Sequence, residues 1–401
     1  MADEEMKNTS EKKNDAEKEK DSEKKVDSEK KTDSEKKTDS EKKRRIPLWG
    51  KIGIGICLVA VLLGGSAYAV VDYYYHKMNI EDDSTKVEKG EELFDEDENT
   101  GNLKEVDPAS IQLDSASQAK ESSDVINILV CGEEAIHDDR GRTDSIMIAT
   151  INQKDNNLRL TSIMRDTYVK IPGFSDNKIN AAYHNGGMKT LVATIKENFG
   201  ISVDGYVLVN FDSFQEIVDA IGGIDIKLSE EEVKYLNSTN YISNPAYHTL
   251  HTGVNHMNGN QALGYARIRY VNKDGKCGDF ARTLRHRTVM KAIYKKMMNK
   301  STLDLVAMIP KILPILTTNI KKADVVNYLT AGVKVRDKNP KLETLNVPVD
   351  GFYKITRVRK MSVVLASPLD ENVEQMHKFI YGSALENKDK KDSKVNITVG
   401  Q

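Results

Sequence analysis

No G-x-S-x-G nucleophile elbow and no Walker-type lysine loop occurs in this 401-residue chain, which sets aside the α/β-hydrolase and P-loop readings. Cysteine is scarce, with only Cys57, Cys131 and Cys277. Cys57 lies in an apolar run, and the other two could pair only if the fold brought them to bridging distance. His248-x-x-His251 with His256 has no Cys, Asp or Glu at ligand spacing, which argues against a zinc site. Residues 1–45 contain no aromatic residue and almost no aliphatic one, against 15 Lys/Arg and 15 Asp/Glu. They repeat with period six, as in SEKKVD from Ser22 and SEKKTD from Ser28 and Ser34. Such a segment buries too little apolar surface to offset its ordering entropy, and its period matches neither helix nor strand. A disordered tail is expected there.

Charge is then absent from Ile52 to Val71, about the 20 residues that cross a bilayer. Lys42, Lys43, Arg44, Arg45 and Lys51 precede the run and Asp72 follows it. The positive-inside rule predicts a single transmembrane helix over 46–71, with the tail in the cytoplasm and the remainder outside the cell membrane. Ala67-Tyr68-Ala69 fits a signal-peptidase site, but the long run and the 45-residue leader favour an uncleaved anchor. Residues 72–124, with 16 acidic and 5 basic side chains, read as an acidic linker. Residues 125–385 have the size of one large domain, and 386–401 return to a polar tail. From 125 onward 38 Lys/Arg stand against 30 Asp/Glu, a balance suited to an anionic substrate. The neutral tail has no helix-turn-helix pattern, so no nucleic-acid partner is expected.

Strands are predicted at Val125–Val130, Ser145–Ile151, Leu158–Ile163 and Tyr206–Val209. Helices are predicted at Gly187–Phe199, with Gly200 as its left-handed cap, and at Asp212–Ile221, Asn258–Ala266 and Asp279–Asn299. The alternation predicts a layered α/β domain.

Seven blocks carry the chemistry: NILVCG (127–132), RTDS (142–145), SIMRDTYVKIPG (162–173), KINAAYHNGG (178–187), VLVNFDSFQEIVDAIGGIDI (207–226), GNQALGYARIRY (259–270) and DFARTLR (279–285). Asp144 and Asp166 follow arginine-containing turns at strand ends, where two carboxylates could share a hard cation. Each taken alone would as readily cap a turn and pair with Arg142 or Arg165. Arg267 and Arg269, two apart, would share a face if extended. Arg282 and Arg285 fall in the first turns of a helix whose N-terminus favours anions, and four guanidiniums there would clamp a pyrophosphate. Asp279 is a candidate N-cap and a candidate acceptor contact. Arg287, Lys291, Lys295 and Lys296 read as a solvated basic face.

Together these blocks resemble the LytR-CpsA-Psr family of Gram-positive cell-envelope proteins over roughly Ile126–Met298. The resemblance implies a three-layer α/β/α domain with an apolar lipid tunnel, for which Phe211, Phe214, Ile217 and Val218 are candidates beside their plain core role. It implies a phosphotransferase that takes a glycopolymer, such as teichoic acid or capsule, from a polyprenyl-pyrophosphate carrier to peptidoglycan. It implies Mg²⁺ on Asp144 and Asp166. Catalytic roles fall to Asp144, Arg165, Asp166, Arg267, Arg269, Asp279 and Arg282, and substrate contacts to Lys178, Asn180, Arg285 and His286. His286 stands where many members have glutamine, and Met164 where proline is common. A hydrolase using water as acceptor, and a membrane-bound transcriptional attenuator, are the alternative readings.

Overall fold

The computed structural model describes residue 69, residues 72–81, 92, 94, 103–113, 116, 119–136 and 139–384. The predicted tail, most of the anchor and the C-terminal tail lie outside the described residues.

Short apolar runs with alternating burial make the strands, and seven of these form one sheet. In chain order the strands of the domain are β1 (Asn79–Ile80), β2 (Val125–Ile136), β3 (Asp139–Asn152), β4 (Asn157–Ile163), β5 (Tyr168–Val169), β6 (Asn177–Lys178), β7 (Gly205–Val209), β8 (Ile224–Leu228), β9 (Gly253–Met257), β10 (Thr317–Thr318), β11 (Leu342–Val347), β12 (Tyr353–Val358) and β13 (Met361–Ala366). The sheet order is β1-β10-β7-β2-β3-β4-β11, and β5–β6, β8–β9 and β12–β13 pair separately. The helices are α1 (Asn180–Phe199), α2 (Phe211–Ala220), α3 (Glu230–Ser238), α4 (Gly259–Arg267), α5 (Gly278–Met298), α6 (Thr302–Ile312), α7 (Lys322–Arg336) and α8 (Leu369–Tyr381).

Helices cover both sheet faces. Ile146 and Ile148 of β3 point into a core shared with Leu191 and Ile195 of α1 and Met376 and Ile380 of α8. Ile151, of opposite parity, meets Gly332 of α7 on the other side. A second core joins Val218 of α2, Ala262 and Tyr265 of α4 and Val289 of α5 to the β8–β9 hairpin. The layered α/β expectation is met, and the predicted strands and helices fall within a few residues of those observed. One difference is in α1, which starts seven residues before the expected Gly187. Gly186 and Gly187 break its dihedrals, with Gly187 at φ 71°, a value only glycine adopts readily. The pattern C-terminal to the break is the one that the spacing Leu191, Ile195, Phe199 reveals. Gly200 caps the helix in the left-handed region at φ 63°.

A register defect interrupts the β2–β3 ladder. Gly132 pairs with Ser145, but Glu133 pairs with Thr143. Asp144 is therefore the extra residue of a β-bulge, released from the ladder at the C-terminal end of β2. The C-terminal ends of β4, β7 and β11 lie along the same sheet edge, because all three run parallel to β2 or to one another.

Candidate active site

The bulge turns the Asp144 carboxylate into a cluster of cations. Arg165 Nη1 donates to Asp144 Oδ1 at 2.5 Å, Arg282 Nη1 donates to Asp144 Oδ2 at 2.7 Å, and Arg269 Nη2 stands 3.5 Å from the same oxygen. Arg165 and Asp166 follow β4 in a tight turn that Thr167 closes by donating its backbone N–H and its hydroxyl to the Met164 carbonyl, at 3.1 and 2.7 Å. From there Arg165 Nε lies 3.7 Å from Asp166 and 3.3 Å from Asp279. Lys178, at the end of β6, places Nζ 3.5 Å from Asp166. Asn180 opens α1 with its backbone N–H on the Arg165 carbonyl at 3.2 Å. The N-terminus of α5 completes the cluster, where Asp279 and Arg282 pair across one turn.

Four cations and three carboxylates thus meet in a largely enclosed corner, with Arg282 only 3% exposed and Asp144 16%. Burial pushes the Asp144 carboxyl up, but Arg282, Arg165 and Arg269 outweigh it and hold the group below the ordinary range. Asp166 moves the other way, raised by burial and by the neighbouring Asp279 carboxylate against the pull of Arg165 and Lys178. Arg282 is lowered, by burial first and then by crowding from Arg165 and Arg269. Arg165 Nε, Asp166 Oδ1, Asp279 Oδ1 and Arg282 Nη2 are buried and meet one another or Lys178 only as ion pairs, and Asn180 Oδ1 and Arg282 Nε are buried without a hydrogen bond. Native interiors seldom leave such groups unsatisfied. Their concentration at one sheet edge marks a place built for a polar, multiply charged ligand.

These opposed shifts yield a prediction. Asp144 stabilises the fold at neutral pH, and that contribution is lost as pH falls through its depressed pKa. Asp166 binds its proton more tightly folded than unfolded, so its ionisation costs stability as pH rises above the ordinary carboxylate value. With divalent ions chelated, Asp144→Asn is expected to lower the melting temperature and Asp166→Asn to raise it, each within roughly 0.5–3 kcal/mol. Equal losses in thermal unfolding of the two variants would count against these opposed roles.

The LytR_cpsA_psr family model matches residues 75–378. The chain belongs to the LytR-CpsA-Psr family. It is 37% identical over 183 residues to the polyisoprenyl-teichoic acid–peptidoglycan teichoic acid transferase TagU of Bacillus mycoides, covering 45% of this chain and 56% of that protein. It is 33% identical over 236 residues to the regulatory protein MsrR of Staphylococcus aureus, covering 57% of this chain and 66% of that one. The chain spans about half the length of the TagU relatives it matches. Among solved structures it resembles TagV of B. subtilis, with 25% identity and a TM-score of 0.51 over 65% of this chain and 98% of that one. A Streptococcus agalactiae protein has the same fold, with 24% identity and a TM-score of 0.53 over 65% and 91% of the two chains.

Within this LytR-CpsA-Psr domain the other expected site residues separate. Arg267 is the last residue of α4 and does not share an extended strand with Arg269. Its guanidinium stacks over Phe211, 4.7 Å from the ring centre, and near Tyr241, at 5.5 Å. Tyr241 carried no sequence signal, and Phe211 was legible only as an apolar residue. Asp279 is not the N-cap: Cys277 holds that position without a side-chain bond, and the Asp279 carboxylate turns to Arg282 and Arg165. His286 has its ring hydrogen-bonded to the backbone of Ala266. Desolvation, then repulsion from Arg282, pushes its pKa down to about 3, so the ring beside the cluster is neutral.

Arg285 requires a correction. It is fully buried, and its Nη2 donates to Glu232 Oε1 at 3.0 Å and to the Val271 carbonyl at 2.9 Å. Its Nη1 donates to the Ile268 carbonyl at 3.3 Å. It forms a structural ion pair that fixes the loop after Arg269 against α5. Glu232 carries no local signal of this role; its side chain also closes a capping box with Ser229 at the start of α3. Arg287 is likewise not on a solvated face. It is half-buried and donates to Asn346 Oδ1 of β11 at 2.7 Å, whereas Lys291 and Lys295 are exposed. Cys131 and Cys277 are free. His248 and His251 bond backbone carbonyls and His256 pairs with Asp225. No group of three or more metal-binding side chains occurs among the described residues.

Proposed function

We propose that this chain is a phosphotransferase that moves a glycopolymer from a polyprenyl-pyrophosphate carrier onto peptidoglycan. The observation that carries the reading is the convergence of Arg165, Lys178, Arg269 and Arg282 on one enclosed sheet edge, where four cations outnumber three carboxylates. A diphosphate is the ligand whose charge and acceptor count match them. Family membership and the likeness to TagU support the same class, with teichoic acid as the candidate polymer. The anchor over 46–71 would hold the domain outside the cell membrane, beside a membrane-borne donor.

In the reaction, an acceptor hydroxyl of peptidoglycan attacks the phosphorus on the sugar side. A new phosphodiester bond forms, the bond to the bridging oxygen breaks, polyprenyl phosphate leaves with that oxygen and its electron pair, and the hydroxyl proton passes to solvent. Arg165, Arg269 and Arg282 meet the charge that develops on the phosphoryl oxygens. They are already oriented by Asp144 and Asp279, so little reorganisation is needed. Lys178 and Asn180 bind from the α1 side. The neighbouring carboxylates also suit Mg²⁺, because Asp166 and Asp279 are buried side by side and repel one another, which a shared cation would relieve. Asp144 and Asp166 would hold the ion, with Asp279 beside them and phosphate oxygens completing its shell. When bound it supplies further neutralisation of the diphosphate.

Labelled lipid-linked glycan supplied with peptidoglycan should yield label in peptidoglycan through a phosphodiester. Release of free glycan at the same rate without peptidoglycan would make the protein a hydrolase and overturn the transfer reading.

A further inference from the structure

Only seven residues, 72–78, separate the end of the charge-free run at Val71 from the first sheet strand. They are firmly attached. Asp72 pairs with Lys322, the Tyr75 hydroxyl donates to the Ile320 carbonyl at 3.2 Å, and Asn79–Ile80 pairs in parallel with Thr317–Thr318. The receiving stretch, 317–322, is the turn between α6 and α7. At the opposite end of these helices Arg336 donates to Thr302 Oγ1 at 3.2 Å and to the Lys300 carbonyl. Arg336 thus ties the end of α7 to the start of α6, and the segment that joins the two helices at the other end of this α6–α7 hairpin is tied to the chain emerging from the predicted anchor.

Large apolar side chains stand exposed on both helices among polar ones. Val325, Ala331 and Val335 of α7 are buried, while Val326 and Leu329, one turn apart on the outward side, are 36% and 40% exposed. Leu303 at the start of α6 is 82% exposed. Ten large hydrophobic residues are exposed among the described residues, and five of them, Tyr73, Ile80, Leu303, Val326 and Leu329, belong to this strap and hairpin. That concentration is not the scatter expected of an ordinary surface. Lysines border it at 311, 321 and 334, and Lys77 lies over the Tyr73 ring at 4.5 Å.

We propose that the outer face of the α6–α7 hairpin rests on the bilayer that holds the anchor. Leu303, Val326 and Leu329 enter the headgroup boundary and the bordering lysines meet lipid phosphates. The length of chain decides for lipid over other occupants. Seven residues reach at most about 25 Å when extended, and 72–75 are helical, which shortens the reach further. α6 is itself about 16 Å long, so the apolar face cannot leave the neighbourhood of the membrane surface. The inference rests on the anchor reading of 46–71 and is independent of the reaction proposed above.

The test uses the full-length chain in phospholipid vesicles, with Cys57→Ala and Cys277→Ala to remove the membrane-span and exposed thiols. A fluorophore is attached in turn at Leu303→Cys, Leu329→Cys, Tyr73→Cys and Ile355→Cys, and its depth is read by nitroxide-lipid quenching. Labels at 303 and 329 are expected about 5–10 Å below the headgroup plane, and the label at 355 in water. Aqueous labels at 303 and 329 with a quenched label at 73 would overturn the proposal while leaving the anchor intact. Failure of the chain to float with vesicles would overturn both. Energy transfer between labelled copies, without lipid quenching, would assign the face to self-association instead and overturn it too.

Discussion

Arg282→Ala is expected to lower turnover of a polyprenyl-pyrophosphate donor by roughly 10²- to 10³-fold, the usual loss for one preorganised donor to a developing oxyanion. Its guanidinium is almost wholly enclosed, donates to Asp144 at 2.7 Å, pairs with Asp279 through Nη2, and retains Nε without a hydrogen bond. Truncation removes a cation at the N-terminus of α5, where the helix dipole already favours an anion. It also leaves Asp144 with Arg165 and Arg269 alone. Arg282→Lys keeps charge but not the fork, so it should recover only part of the loss. Arg269→Ala should cost less, because that side chain is one-third exposed. Lys291→Ala, on the exposed side of α5, is the control. Turnover with labelled donor should be measured for all four variants. Losses of similar size in every one of them would mean a diffuse basic surface and no clamp.

Arg285→Ala is expected to lower the stability of the domain by about 3–5 kcal/mol, because it leaves Glu232 charged, buried and poorly compensated. Lys273 Nζ, 3.5 Å from Glu232, is the remaining cation, and three backbone carbonyls of the 268–272 loop lose their donor. Replacing both partners by apolar residues, Arg285→Met with Glu232→Leu, should recover much of the stability, less the contribution of the α3 capping box. Thermal unfolding of the two variants separates the readings. An unchanged melting temperature with donor binding reduced tenfold or more would return Arg285 to the ligand-binding set.

The contrast between these two arginines shows where sequence reasoning ends. Arg282 and Arg285 stand one turn apart in DFARTLR, and both suggest an anion site by type and position. α5 carries charged residues on most of its sides, so no apolar stripe indicates which side faces inward. Only the packing of α3 against the 268–272 loop sends Arg285 to Glu232 and leaves Arg282 at the sheet edge. Asp144 shows the same limit. RTDS marks the residue, but the bulge that frees its carboxylate depends on the register of β2 against β3, which shifts between Gly132–Ser145 and Glu133–Thr143 and which no single segment specifies.

Local pattern determined a good deal. The strands at 145–151 and 158–163, the Gly200 cap and the helical spacing of α2 and α4 are properties of neighbouring residues, and each was legible without a fold. So was the grouping of acids and arginines into a few blocks. Tertiary structure alone decided which of those charges share a corner, that Arg267 stacks on Phe211 and Tyr241, that Arg287 bonds to β11, and that the strap at 72–80 binds the α6–α7 hairpin. The physical reason is range. Propensity, capping and periodicity act over a turn or two of chain, whereas ion pairing and burial depend on elements brought together from 50 to 250 residues apart.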